Sequence, residues 1–247
     1  MTDQPNSSKN ADSEKFNPKE FLMHPINYIR SFCAAKDEST MPHYKLTYFD
    51  LRGRAEVSRQ LFALAGVPYE DNRLNFEQWP AFKQTTPFGQ IPLLEVDGTM
   101  IAQSITIARF LARRFGYIGA NDIEAAQIDS LADVIMDYHN EQKHFFPVLM
   151  GRMPGDKDAL YKEIYEPVRD KYLPILVEKF LKKNPNGYLI GSKVSYADLM
   201  LAEHISVYMN VLPNAFDKYP ELIAHKEKVQ SLPALKQWIE TRPKTSY

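Results

Sequence analysis

Two short stretches of the chain place groups that can grip a small peptide-like or anionic molecule. In Pro87-Phe88-Gly89-Gln90-Ile91-Pro92 a proline stands at the opening of a strand. Such a proline marks an ordinary strand start, an edge strand or a cis bond. A cis Ile91-Pro92 bond would turn the backbone outward and leave the amide and carbonyl of Ile91 to pair with an extended ligand, as an added strand does. Gln103-Ser104 stands directly before a helical pattern, so a side-chain amide, a hydroxyl and unpaired first-turn N–H groups converge where carboxylates bind. Ser104 as a plain helix cap accounts for the same spacing. Taken alone, the other candidates have structural readings. Tyr48, near the end of a strand, is a core aromatic; Arg54 is a surface charge; Lys83 and Trp79 are a surface charge and a core aromatic; and Asp137, with Asp133 one turn earlier, belongs to a solvated acidic helix face.

The bulk composition narrows the partners. At 247 residues and 44% hydrophobic, the chain can bury a proper core as one large or two modest domains. Its 30 basic and 31 acidic residues give a formal charge of −1, so no summed field recruits nucleic acid or an anionic membrane, and small molecules or protein are the expected partners. A single cysteine, Cys33, excludes an internal disulfide, and no Cys/His group has the spacing of a structural zinc site; no metal is expected. No apolar run approaches the roughly 18 residues that span a bilayer. The first 20 residues are polar with scattered acids, unlike a signal or transit peptide, which predicts a cytoplasmic protein. Asn6-Ser7-Ser8 fits a glycosylation sequon, which without a secretory signal reads as chance.

The elements that must position these residues follow from pattern. Residues 1–40 read as an appended, partly disordered arm, in which Leu22, Ile26, Ile29 and Cys33 fall at helical spacing around Pro25. Tyr44-Lys45-Leu46-Thr47-Tyr48-Phe49 reads as a strand ending at Asp50-Leu51-Arg52-Gly53. Val57, Leu61, Leu64 and Ala65 give the next helix its apolar stripe; Gly66 stops it and Pro68 prevents continuation. Tyr69 to Leu74 is a second strand. Ile91 to Val96 and Thr99 to Ala102 flank Asp97-Gly98, a strong hairpin signal, and Ser104 to Phe115 is a helix. This βαβ then ββα order is the thioredoxin-like plan, with the first strand pair parallel and the hairpin antiparallel. Beyond Gly119 the strand signals vanish, and 124–150, 158–183, 195–210 and 219–241 carry helical periodicity, with Ser195-Tyr196-Ala197-Asp198 spaced as a capping box. The predicted fold class is therefore α/β + all-α, with an arm over 1–40, a thioredoxin-like domain over 41–118 and an all-helical domain over 124–247.

Read together, these stretches resemble the glutathione transferases. The wording Tyr44-Lys45-Leu46-Thr47-Tyr48-Phe49, Arg52-Gly53-Arg54-Ala55-Glu56 and Gln103-Ser104 is similar to the sigma class, and the resemblance extends over about residues 41–247 with motif order and spacing kept. It implies glutathione as co-substrate and a small hydrophobic electrophile as second substrate. By that resemblance Tyr48 matches the hydroxyl donor to the glutathione sulfur, and Arg54 the arginine that adds positive potential beside it. Trp79, Lys83, Gln90, Ile91, Pro92, Gln103 and Ser104 match the glutathione-binding positions. Asp137 matches a carboxylate that reaches the ligand across a homodimer interface. The physics agrees: a free thiol with a pKa near 8.5 is scarcely ionised at neutral pH. A neutral phenol with a pKa near 10 can donate to the thiolate without losing its proton, and a hydrogen bond to a charge contributes about 1.5–3 kcal/mol.

The resemblance also carries departures. Prostaglandin D synthases of this class have a lysine before the Ile-Pro pair and a third acid near Asp133 and Asp137, where this chain has Gln90 and Met136, so divalent-ion enhancement is not expected. The tryptophan that those synthases place over the second substrate aligns with His144. The expected second-substrate wall is Phe49, Leu51, Met136 and His139, with His144 beyond them, apolar enough for aromatic or lipid-peroxidation-derived electrophiles. Peroxidase or prostaglandin isomerase activity, a crystallin-like structural role and a scaffold anchored through the arm are the alternatives.

Overall fold

The computed structural model of the chain describes residues 41–245. The arm over 1–40, with Cys33 and its helical spacing, lies outside the described residues. Strand β1 (Tyr44–Phe49) is interior: it runs parallel to β2 (Glu70–Leu74) and antiparallel to β3 (Leu93–Val96), and β4 (Thr99–Ala102) closes the hairpin, so the sheet order is β2-β1-β3-β4. Asp97 and Gly98 both take positive φ (49° and 81°), the backbone of a two-residue hairpin turn. Because β3 has a neighbour on each side, Pro92 is not an edge-strand proline. The Ile91-Pro92 bond is cis and precedes the ladder, whose first paired residue is Leu93.

Helices α1 (Glu56–Ala65) and α3 (Ser104–Phe115) cover the face on which Tyr44, Leu46 and Tyr48 are buried. Tyr44 meets Phe62 and Phe115 edge-on at 5.4 and 6.1 Å, so one ring locks strand and both helices together. Gly66 ends α1 in the left-handed conformation. A short helix α2 (Trp79–Lys83), which periodicity did not announce, has Pro80 in its first turn, where a missing N–H costs nothing.

The helical part comprises α4 (Asp122–Glu141), α5 (Phe145–Leu149), α6 (Lys157–Leu160), α7 (Glu166–Leu176), α8 (Tyr196–Val211), α9 (Pro220–Gln230) and α10 (Pro233–Thr241). The single helix expected over 124–150 is two: Gln142 leaves helical ψ, and its buried side chain accepts the hydroxyl of Tyr208 on α8. That contact is tertiary, so periodicity along the strip could not reveal it. The stretch 158–183 stays helical through wider π turns at Tyr161–Tyr165 and Val177–Leu181. The stretch 219–241 divides where Leu232 is extended ahead of Pro233. Helix α8 packs against α1 and α3, and α10 against α1, so the strand-bearing part and the helical part form one compact unit.

The capping box forms as spaced. Ser195 accepts from Asp198 N, and the buried Asp198 carboxylate accepts from Ser195 N at 2.8 Å, Ser195 Oγ at 2.6 Å and Leu189 N at 2.7 Å. Ser195→Ala should lower stability by about 1–2 kcal/mol, seen as a lower urea midpoint with unchanged slope; an unshifted midpoint would refute the cap's contribution.

Candidate functional site

Tyr48 lies on the buried face of β1, with its ring only 8% exposed and its hydroxyl at the strand's end. The chain then folds back through Asp50–Arg54, and the amide of Arg54 donates to the phenol oxygen at 3.3 Å. Gly53 makes that close return possible. It takes φ +42°, and a Cβ there would stand 2.8 Å from the phenol oxygen. The oxygen thus accepts one backbone bond, while the phenolic proton is left to a ligand.

Tyr48 lines a cavity of about 270 Å³ together with Phe49, Arg54, Trp79, Gly89, Gln90, Ile91, Pro92, Ala102, Gln103 and Ser104. Nine residues singled out from the sequence therefore converge from β1, the loop after it, α2, the segment before β3 and the start of α3. Ser104 is not the cap of α3 but its first residue. The N-cap is Gln103, which makes no side-chain cap bond and sits at φ +73°, ψ +121°. A non-glycine residue held there costs on the order of 1–3 kcal/mol, a feature found preferentially at functional sites. The amide of Gln103 donates to Gln90 Oε1 at 3.2 Å, tying the helix start to the segment before β3. The first-turn N–H groups of α3 lack intrahelical partners and carry the positive end of its dipole, so this end of the cavity suits a carboxylate. Ile91, outside the ladder, is placed for an extended backbone. Phe49 packs edge-on against Trp79 at 5.6 Å and, tilted by 30°, against the exposed Phe76 at 4.8 Å, forming an aromatic rim.

Other candidates stand apart from the lining. Lys83 is exposed, with its Cε 3.3 Å from where a Cβ on Gly89 would be, which puts its stem beside the cavity's edge. Leu51 and Met136 are half-buried against the core. Asp137 is exposed on α4, outside the cavity. His144 is an exposed residue at the start of α5 and contributes nothing to this cavity. His139 is half-buried, its Nε2 2.6 Å from His204 Nδ1. Burial first, then the charge of Arg54, depress the His139 ring to about 4. It is therefore a neutral ring at pH 7. Sequence reasoning missed Gly89, Ala102 and Phe76; the positive φ of Gly89 (63°) leaves a glycine as its only sequence trace.

A mixed four-stranded thioredoxin-like sheet, a helical second part and a phenol sharing one cavity with a helix N-terminus define a two-part, ligand-gripping enzyme class. Residues 44–113 match the glutathione S-transferase N-terminal domain, and residues 139–242 the glutathione S-transferase C-terminal domain. Glutathione S-transferase 1 of Ascaris suum is 47% identical over 207 residues, covering 84% of this chain and 100% of that protein. Hematopoietic prostaglandin D synthase of Gallus gallus is 39% identical over 206 residues, covering 83% and 100%. Among solved structures, a Nu-class transferase from Haemonchus contortus superposes with a TM-score of 0.78 at 50% identity, covering 84% and 100%. A monomeric glutathione S-transferase of the hookworm Necator americanus does so with 0.80 at 50% identity, covering 83% and 100%. The chain belongs to the glutathione S-transferase family and is a transferase with glutathione as its co-substrate.

Two tests follow. Gly53→Ala should displace the phenol and lower turnover by about tenfold, whereas Gly66→Ala, at a similar positive φ (63°) but with open space around its Cβ, should cost stability alone; equal activities would refute the close-approach argument. The His139 ring titrates at about 4 in the folded chain against 6.5 when unperturbed, so between these values the unfolded state binds more protons. Its contribution to stability is whole above about pH 6.5 and is lost as pH falls toward 4. Denaturation across that window should show a flatter acid limb in His139→Gln than in the parent.

Proposed function

We propose that this chain conjugates glutathione to small hydrophobic electrophiles, with Tyr48 donating its hydroxyl proton in a hydrogen bond to the glutathione thiolate. The supporting observation is that Tyr48 lines the same cavity as Ile91, Gln103 and Ser104. The α3 N-terminus with Gln103 and Ser104 takes the γ-glutamyl carboxylate, Ile91 the cysteinyl backbone, and Trp79 with Lys83 the glycyl end. Arg54 adds a charge that cannot be titrated away. The thiolate attacks an electrophilic carbon and displaces its leaving group or adds across an activated double bond.

Under this reading residues 41–118 carry glutathione and residues 124–247 supply the electrophile wall through Met136 and His139, facing Phe49 and Leu51. The enzyme is cytoplasmic and sigma-like in its motif wording, and the likeness to a Nu-class enzyme and to a prostaglandin D synthase supports that neighbourhood. Asp137 is read as serving the site of a neighbouring subunit in a homodimer, a reading with which its exposed position outside its own cavity agrees. Because one relative at 50% identity is monomeric, sedimentation of the parent is the check on the dimer, and a raised KM for glutathione in Asp137→Ala the check on the residue.

Tyr48→Phe should cut turnover roughly ten- to a few-hundredfold, as for a lost charge-stabilising bond of about 1.5–3 kcal/mol, while KM for glutathione changes little. An unchanged rate with a chlorinated aromatic substrate would reject the role. No turnover by the parent on that substrate, on an unsaturated aldehyde or on a prostaglandin endoperoxide would favour a crystallin-like role.

A further inference from the structure

The loop that brings the Arg54 amide onto the Tyr48 hydroxyl is held from below by a residue that does not touch the cavity. Arg59, on α1, is fully buried. Its Nη1 donates to the carbonyl of Leu51 at 2.6 Å and to that of Arg52 at 3.3 Å. Its Nε donates to Asp71 Oδ1 on β2 at 3.0 Å, and Glu56 Oε2 lies 3.6 Å from Nη1. Arg73 extends the clamp, joining Asp71 at 2.8 Å and Asp50 at 2.9 Å. Successive residues Asp50, Leu51 and Arg52 are thus tied to one charge network that runs from the buried Arg59 out to the exposed Asp50, two residues short of the amide that meets the phenol.

A guanidinium kept in the core only to satisfy the carboxylates of Asp71 and Glu56 would need no hydrogen bonds to the loop. Here Nη1, although 3.6 Å from Glu56 Oε2, makes its hydrogen bonds to the two loop carbonyls, while Nη2 is buried without a hydrogen bond. The consequence reaches the hydroxyl. While the loop holds the Arg54 N–H against the phenol oxygen, that oxygen is an acceptor from the protein, and its own proton is the donor left for a ligand. A loop that drifts by a few tenths of an ångström loses that bond, already long at 3.3 Å, and frees the hydroxyl to rotate.

We propose that Arg59 is a positioning residue for the thiolate site, setting the phenol's donor direction through the carbonyls of Leu51 and Arg52. The proposal rests on the reading of Tyr48 as thiolate donor. Lysine carries the same charge but lacks the planar fork that reaches two carbonyls and a carboxylate together, so Arg59→Lys separates charge from geometry.

The test is ultraviolet titration of glutathione bound to the full-length chain, with steady-state kinetics on the same samples. In the parent, the bound thiol should ionise at lower pH than in buffer. In Arg59→Lys its midpoint should rise by about 0.5–1 pH unit, with kcat reduced and KM for glutathione changed less than about twofold. Ser195→Ala, destabilised at a distance, should leave the midpoint where the parent has it. Should Arg59→Lys not fold, Asp71→Asn, which loosens the same clamp, should give a smaller shift in the same direction. A lowered parent midpoint that neither variant moves overturns the role of Arg59 alone. A parent midpoint equal to that of free glutathione overturns the reading of Tyr48 and this proposal with it.

Discussion

A phenol that is to steady an anion must keep its ring dry and its proton available, and both demands meet at the backbone contact between Arg54 and Tyr48. The ring gains its burial from the sheet face under α1 and α3, where Tyr44, Leu46 and Tyr48 share one core with Phe62 and Phe115. The oxygen gains its orientation from a loop that returns close enough to donate to it, which only a glycine at Gly53 permits. Everything else in the cavity is arranged around the point thus defined: the α3 N-terminus at one end, Ile91 along the side and the aromatic pair Phe49 and Trp79 at the rim.

The loop is also tied to the helical part. Arg52 pairs with Glu203 on α8 at 3.1 Å, and Gln60 on α1 donates to the same carboxylate at 2.9 Å. Glu56, fully buried on α1, accepts from Trp238 Nε1 at 2.7 Å and from Arg242 at 2.6 Å, beyond the end of α10. Burial, reinforced by the charge of Glu56, pushes the Glu203 carboxyl up to about 7, against the pull of Arg52 and Arg242. Removing one member of such a set leaves an uncompensated buried charge, which is far costlier than losing an exposed pair. Strand part and helical part are therefore joined by directional contacts as well as by apolar packing, and the loop that returns to Tyr48 lies at that junction.

Much of this was legible in one dimension because local rules and tertiary demands coincide there. The β-branched and aromatic run Tyr44–Phe49, the Gly66 stop, the Asp97-Gly98 turn and the Ser195–Asp198 box each encode a backbone state locally, and each appears where its chemistry requires. Of the site, the residues beside punctuated backbone were readable: Ile91 next to Pro92, and Gln103-Ser104 at a helix start. Tyr48 was distinguishable from a core aromatic only through motif resemblance, since strand patterning reports the burial of its ring and not the fate of its oxygen.

The amino-acid order alone determined the four strands and the two helices among them at Glu56–Ala65 and Ser104–Phe115, the parallel-then-hairpin plan and the shift to helices after Gly119, since periodicity and turn chemistry act over a few residues. Tertiary structure decided the rest. It alone split the helix at Gln142, whose partner Tyr208 is 66 positions away, and made Gln103 rather than Ser104 the cap of α3. It left His144 exposed and turned Arg59 toward the loop beneath the phenol. The physical reason is the same in each case: a buried polar group goes where its hydrogen-bond partners are, and those partners arrive from distant positions only once the chain has folded.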